Sequence, residues 1–255
     1  WSLRNVSLEL KKEHLIRSRL AFEAFVILFN KEKRIISSDY YFENKLPVFE
    51  IARRISKGVH NLAPVVVTIP EGFTNIQIAA VFISKLVNFN KNKFLLESKE
   101  LKGRLFPDTY FFLTTDTEIA VIKSMSKNFE KKISLLRPAI ISSGKTTGRT
   151  EEDFIIMASI IEEEAKGDAD REFISGILWK RLSIGMPLQV DSFPETYKVK
   201  GLPKSPIGNP GLAAIKAAIY PQNSSYLYYL HDTDGNIHYA KSFAEHRQNV
   251  SKYLK

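Results

Sequence analysis

The chain has 255 residues, 44% of them hydrophobic, with a formal net charge of +9 and no cysteine. That length supports one large domain or two modest ones, and the lack of cysteine excludes disulfides, thiolate metal sites and a cysteine nucleophile. The charge favours an anionic partner, but the lysines are scattered and no basic run carries the aromatic interleaving of a single-strand binding face, so nucleic acid is not the expected partner.

No apolar run approaches the roughly 18 residues of a membrane span, and none reads as a signal peptide. Since the chain begins at Trp1, an upstream segment such as an anchor is expected to be missing. Leu8 to Asn30 reads as one amphipathic helix, suited to docking or to a place beside a membrane. A strand is predicted over Arg34 to Phe42, then a helix over Leu46 to Lys57 closed by Gly58. The same order recurs. Val65 to Ile69 is strand-like, Pro70, Glu71 and Gly72 make a turn, and Thr74 to Leu86 has helical spacing. This short internal repeat resembles the LysM module, a small βααβ unit that binds N-acetyl sugars, although βα units of this size also serve purely structural ends.

Leu101 to Phe112 (LKGRLFPDTYFF) gathers aromatics around a Pro-Asp turn, which suits a carbohydrate platform or a packed loop. Glu118 to Leu136 predicts an amphipathic helix and Arg137 to Thr150 a polar linker, whose GKTTG lacks the earlier glycine of a phosphate-binding loop.

Glu151 to Gly167 (EEDFIIMASIIEEEAKG) predicts a buried helix. Thr150 can cap it with Asp153 reaching back, Glu151 and Glu152 complement the helix dipole, and Gly167 is a plausible stop. Its middle is apolar on every side, which is the mark of a helix inside a core. It nevertheless ends in three carboxylates. At about 100° per residue, Glu162 falls among Ile155, Ala158 and Ala165, Glu163 nearer Ile156 and Ile160, and Glu164 nearer Met157. A carboxyl on that apolar stripe is poorly solvated, its pKa is expected to rise, and it then suits a general acid. A solvated helix end is the competing reading of the same three residues.

Asp170 to Leu182 predicts a further helix, and Met186 to Asp191 (MPLQVD) contributes Gln189 and Asp191. The loop Gly201 to Pro210 (GLPKSPIGNP) carries Asn209, whose amide suits a polar ligand. Leu212 to Ile219 is a short helix, Tyr226 to Leu230 and Ile237 to Ala240 are two strands joined by the turn Asp232 to Gly235, and Ser242 to Leu254 is the last helix. His231 and His238 flank that turn without metal-ligand spacing, and no GxSxG nucleophile motif is present. No metal site is expected.

Read together, IPEGFTNIQIA, LKGRLFPDTYFF, MASIIEEEAKGDADREFISGILWKRLSIGMPLQVD and GLPKSPIGNPGLAAIKAAIYPQNSSYLYYLHDTDGNIHYAKSFAEH resemble the endolytic murein transglycosylase family, also called YceG-like or MltG, from about Ser38 to the C-terminus. The resemblance implies a bacterial enzyme held by one N-terminal membrane helix absent from this chain, with an extracytoplasmic catalytic domain that cuts nascent peptidoglycan glycan strands internally. The family's catalytic glutamate falls on Glu162. Glu164, Gln189, Asp191 and Asn209 match polar positions lining the family's substrate cleft. Two departures stand out: Lys102 occupies the acidic position of the family's LEG, and the loop after Asp191 is shortened.

A lytic transglycosylase of this kind, as the resemblance implies, uses one carboxyl where an ordinary glycosidase uses two, and consumes neither metal nor cofactor. The implied fold is α+β: residues 1–63 hold the N-terminal helix and first LysM-like unit, and residues 64–255 the second unit and a mainly helical catalytic domain with a small sheet. The partners implied are glycan strands, the membrane through the anchor, and the cell-wall synthesis machinery. The alternative is a catalytically impaired wall-binding scaffold that uses the LysM-like region.

Overall fold

A computed structural model describes residues 2–29, 35–36, 39–42, 45–59, 64–167 and 170–254. They fall into two units, Trp1–Val65 with Leu113–Thr115, and Val66–Phe112 with Asp116–Lys255. The class is α+β, mainly helical with small two-stranded sheets.

The first unit packs α1 (Leu3–Lys12), α2 (Arg19–Phe29) and α3 (Val48–Lys57) around Ile16, Phe22, Val26, Ile51, Ala52 and Ile55. The single helix expected over Leu8 to Asn30 is broken. His14 takes the left-handed φ of 57°, and the Ser18 hydroxyl accepts the Ala21 N–H at 3.3 Å at the start of the next helix. The break is stabilised by packing, since it lets Ile16 join Phe22 and Val26 in one core. Of the strand expected over Arg34 to Phe42, Arg34, Ser37 and Ser38 lie outside the described residues, and the others are not in a strand. Gly58 closes α3 at φ 69°, the left-handed geometry that lacks a Cβ penalty.

β1 (Val65–Thr68), which belongs to the second unit from Val66 on, leads through the turn Pro70–Gly72 to α4 (Asn75–Ile83), α5 (Lys91–Glu97) and β2 (Thr109–Phe112). β1 and β2 form one sheet, and the Ile69 N–H donates to the Asp108 carbonyl at 3.0 Å just beyond it. Thr74 and Gln77 make a capping box that starts α4.

The expected linker over Arg137 to Thr150 is helix instead. α6 runs from Glu118 to Thr147, passes through Pro138, and ends on Gly148 at φ 74°. Its buried row Val121, Met125, Phe129, Ile133 and Ile140 continues past the proline, so tertiary burial outweighs the lost backbone hydrogen bond. Because Pro138 is exposed, Pro138→Ala is expected to stabilise the unit by about 1–3 kcal/mol. Urea denaturation checks this, and an unchanged or lowered midpoint would overturn it.

α7 (Glu151–Glu164) is the centre of the larger core, packed on α6, α8 (Arg171–Ser183) and α9 (Leu212–Ile219). Every residue from Phe154 to Ile161 is buried, and each large apolar side chain contributes roughly 1.5–3 kcal/mol. The Thr150–Asp153 capping box forms as expected, and Arg104 pairs with Glu151 and Glu152 at 3.2 and 2.7 Å. The helix stops at Ala165, short of Gly167. β3 (Tyr228–His231) and β4 (Ile237–Ala240) form an antiparallel hairpin with Leu230 opposite His238, and α10 (Phe243–Tyr253) packs on it. Among the described residues no helix is long and apolar enough to cross a membrane.

Candidate active site

Because α7 is buried along its length, its last turn delivers Glu162 to the edge of the core. The Glu162 side chain is 6% exposed. One oxygen accepts from the Arg171 guanidinium at 3.1 Å, and the other accepts the Gly211 N–H at 2.7 Å. Both donors suit a carboxylate. Arg171 opens α8 and Gly211 precedes α9, so the two neighbours of α7 together clamp this acid of its last turn.

The turn Pro70–Phe73 closes the other side. The Gly72 N–H donates to the Asn209 carbonyl at 2.9 Å, and the Asn209 N–H to the Phe73 carbonyl at 3.0 Å. A Cβ on Gly72, whose φ is 82°, would stand 2.5 Å from Glu163 Oε1 and 3.7 Å from Glu162 Cγ. A Cβ on Gly208 would stand 2.1 Å from the Gly72 carbonyl oxygen. Glycine at both places is therefore what allows turn, loop and acid to meet.

Beside this contact lies a groove of about 420 Å³, whose walls include Asn75, Lys102, Gly103, Ser192, Phe193 and Gly208. Its far wall is anchored from below: the Ser159 hydroxyl of α7 accepts the Ile207 N–H at 3.0 Å. Lys102 is thus a cation on the groove wall.

Each of the sequence-predicted polar residues has a definite place. Glu164 accepts from the Ser192 N–H and hydroxyl at 3.2 and 2.7 Å, and from the Tyr229 hydroxyl at 2.9 Å, so it ties α7 to the groove wall and the hairpin. Burial, then the Glu164 charge, pushes the Tyr229 hydroxyl well above its ordinary pKa. Gln189 is exposed with φ 51°, a left-handed backbone unusual for a side chain with a Cβ and characteristic of strained functional loops. Asp191 is exposed and accepts from the Tyr197 hydroxyl at 2.5 Å, and that bond, followed by burial, raises Tyr197 to about 12.

Asn209 departs from expectation. It is 1% exposed, and its amide is engaged by the protein: Oδ1 accepts the Leu105 N–H at 2.9 Å, while Nδ2 donates to the Phe73 carbonyl at 2.8 Å and to Asn75 Oδ1 at 3.0 Å. The side chain predicted to hold a ligand is a latch between segments distant in sequence.

Glu163 is partly solvated, but its carboxyl lies against Gly72 and beside two acids; burial first, then Glu162 and Glu164, raise its pKa. A carboxyl with a raised folded-state pKa contributes most below its unfolded value and loses that contribution as pH rises through the folded value. Glu163→Gln is therefore expected to raise the thermal midpoint at pH 7 and to leave it unchanged near pH 3. Equal effects at both pH values would mean that charge is not the cause.

Sequence reasoning missed Arg171, Gly211, Ser192 and Tyr229, which reach the α7 terminus only through tertiary contacts. Among the described residues no group of three or more His, Asp or Glu side chains is placed to hold a metal ion.

Comparison with known proteins gives this arrangement its relatives. The chain is similar to the endolytic murein transglycosylase of Bacillus subtilis, with 29% identity over 299 residues, covering 96% of this chain and 80% of that protein. It is also similar to the endolytic murein transglycosylase of Streptococcus pneumoniae strain R6, with 26% identity over 319 residues and 99% of this chain covered. It spans 57% of that longer protein. Among solved structures, a yceG-like protein from Listeria monocytogenes shares 26% identity with a TM-score of 0.63, covering 97% of this chain and 95% of the other. The profile of the YceG-like family matches residues 1–193 and 195–252, nearly the whole chain, and the chain therefore belongs to the YceG-like family.

Proposed function

We propose that the chain is an endolytic murein transglycosylase whose proton-transferring group is Glu162. The observation that carries this reading is one nearly buried carboxyl at the edge of the core, held by Arg171 and by Gly211, which follows the groove-wall residue Asn209 by two positions. Family membership and the activity named for the Bacillus and pneumococcal relatives support the substrate class.

In the proposed reaction, protonated Glu162 donates to the oxygen linking N-acetylmuramic acid to N-acetylglucosamine, and the bond from that oxygen to the anomeric carbon breaks. The substrate's acetamido group supports the developing cation. Glu162, now a carboxylate, takes the proton of the muramyl 6-hydroxyl as that oxygen bonds to the anomeric carbon, leaving a 1,6-anhydro end. The contacts from Arg171 and Gly211 match the carboxylate that this second step requires. Gln189, exposed on a left-handed backbone, and Asp191 are proposed to meet sugar hydroxyl or acetamido groups. Glu164 is proposed to act on the substrate by holding the Ser192 wall.

Internal cleavage of nascent strands limits glycan length. The βααβ order from β1 to β2 supports, as a proposal, a LysM-like contact with the glycan. A single-pass anchor preceding this chain, with the site outside the cytoplasm and near the wall-synthesis machinery, completes the reading. Mass spectrometry of purified murein incubated with the protein tests it: anhydro-muramyl ends above the background are expected. Binding to murein without such ends would instead support the scaffold alternative.

A further inference from the structure

We infer that Glu71 is a second catalytic carboxylate of this site, stabilising the positive charge that develops on the sugar while Glu162 moves the proton. The inference rests on the transglycosylase reading above and deepens it.

The turn that carries Glu71 is built against the acid. Gly72, the next residue, faces the Glu162 and Glu163 side chains and is tied to Asn209 by its N–H. Glu71 itself lies on Gly211, where a Cβ would stand 1.8 Å from its Oε1 and 2.7 Å from its Oε2. That same glycine donates its N–H to Glu162 Oε2 at 2.7 Å. Through the intervening bonds, the nearest oxygens of the two carboxylates stand within about 7.5 Å of each other. That limit lies inside the roughly 9.5 Å within which two carboxyls can act on one glycosidic bond.

The two acids differ in surroundings. Glu162 is nearly buried, whereas Glu71 is exposed at the turn. The Glu71 turn meets the groove wall where the Gly72 N–H bonds to Asn209. A fixed negative charge there stabilises an oxocarbenium-like sugar more than it stabilises the neutral ground state, and this difference lowers the barrier. Glu71 forms no covalent bond and transfers no proton; the product remains the 1,6-anhydro end.

The test compares wild type, Glu71→Gln, Glu71→Asp and Glu162→Gln on soluble murein glycan strands, reading anhydro ends by mass spectrometry and the thermal midpoint for each. Glu71→Gln is expected to lower kcat about 10²-fold with KM and midpoint near wild type, and Glu71→Asp to recover part of that loss. The inference is overturned if Glu71→Gln turns over at the wild-type rate, if only KM rises, or if both Glu71 variants lose activity together with a lowered midpoint, which marks a merely structural turn. If wild type forms anhydro ends and Glu162→Gln does not, such a result removes Glu71 alone and leaves the function standing. If wild type forms none, the functional reading fails and this inference with it.

Discussion

Glu162→Gln is expected to lower the rate of anhydro-end formation by about 10²–10⁴-fold, the range that a positioned proton donor contributes. The amide keeps the shape of the side chain and can still accept from the Gly211 N–H, but it cannot deliver a proton. It also leaves Arg171 facing a neutral group. Arg171 is itself 13% exposed, so losing this charged contact is expected to cost some stability, of the order of 1–3 kcal/mol. Activity and stability must therefore be measured together. A variant that remains folded at the assay temperature yet forms no anhydro ends supports the assignment, and one that retains the wild-type rate removes it. Glu163→Gln is the internal control, since it changes the adjacent carboxyl without touching either contact of Glu162.

Asn209→Ala is expected to destabilise the protein by about 3–5 kcal/mol. The change leaves the buried Leu105 N–H without its acceptor at 2.9 Å and takes one donor from both the Phe73 carbonyl and Asn75 Oδ1. Each such loss in a buried setting costs roughly 1–3 kcal/mol. For a unit of this size the thermal midpoint should fall by about 10 °C. The effect reaches the active site as well, because Asn209 joins the turn carrying Glu71 and Gly72 to the loop ending at Gly211, and both ends of that link touch the carboxylates. Calorimetry decides between the latch and the ligand-binding role that the sequence suggests. A midpoint within a degree or two of wild type, with glycan affinity lost, would return Asn209 to the substrate.

The two variants probe different links. Glu162 is placed by the helix to which it belongs, whereas Asn209 is placed by contacts more than a hundred residues away in the chain. The same contrast explains which expectations held. The α7 helix, its capping box and the position of Glu162 on the apolar stripe were legible from local spacing, because burial of a helix on every side leaves a strong apolar pattern. The hairpin and the short helix from Leu212 to Ile219 were legible for similar reasons. The break after Lys12 and the passage of α6 through Pro138 were not. In both places packing against distant residues overrode local propensity.

By itself, then, the sequence determined the buried helix, whose apolar pattern lies within a single element, and nominated Glu162 among the three carboxylates at its end. Only the tertiary structure decided what that glutamate meets. Arg171, Gly211 and the Glu71–Gly72 turn arrive from three separate segments, and no local spacing in a sequence records how those segments pack. The fate of the Asn209 amide was decided in the same way, because whether a polar group serves the protein or a ligand depends on which partners the completed fold leaves beside it.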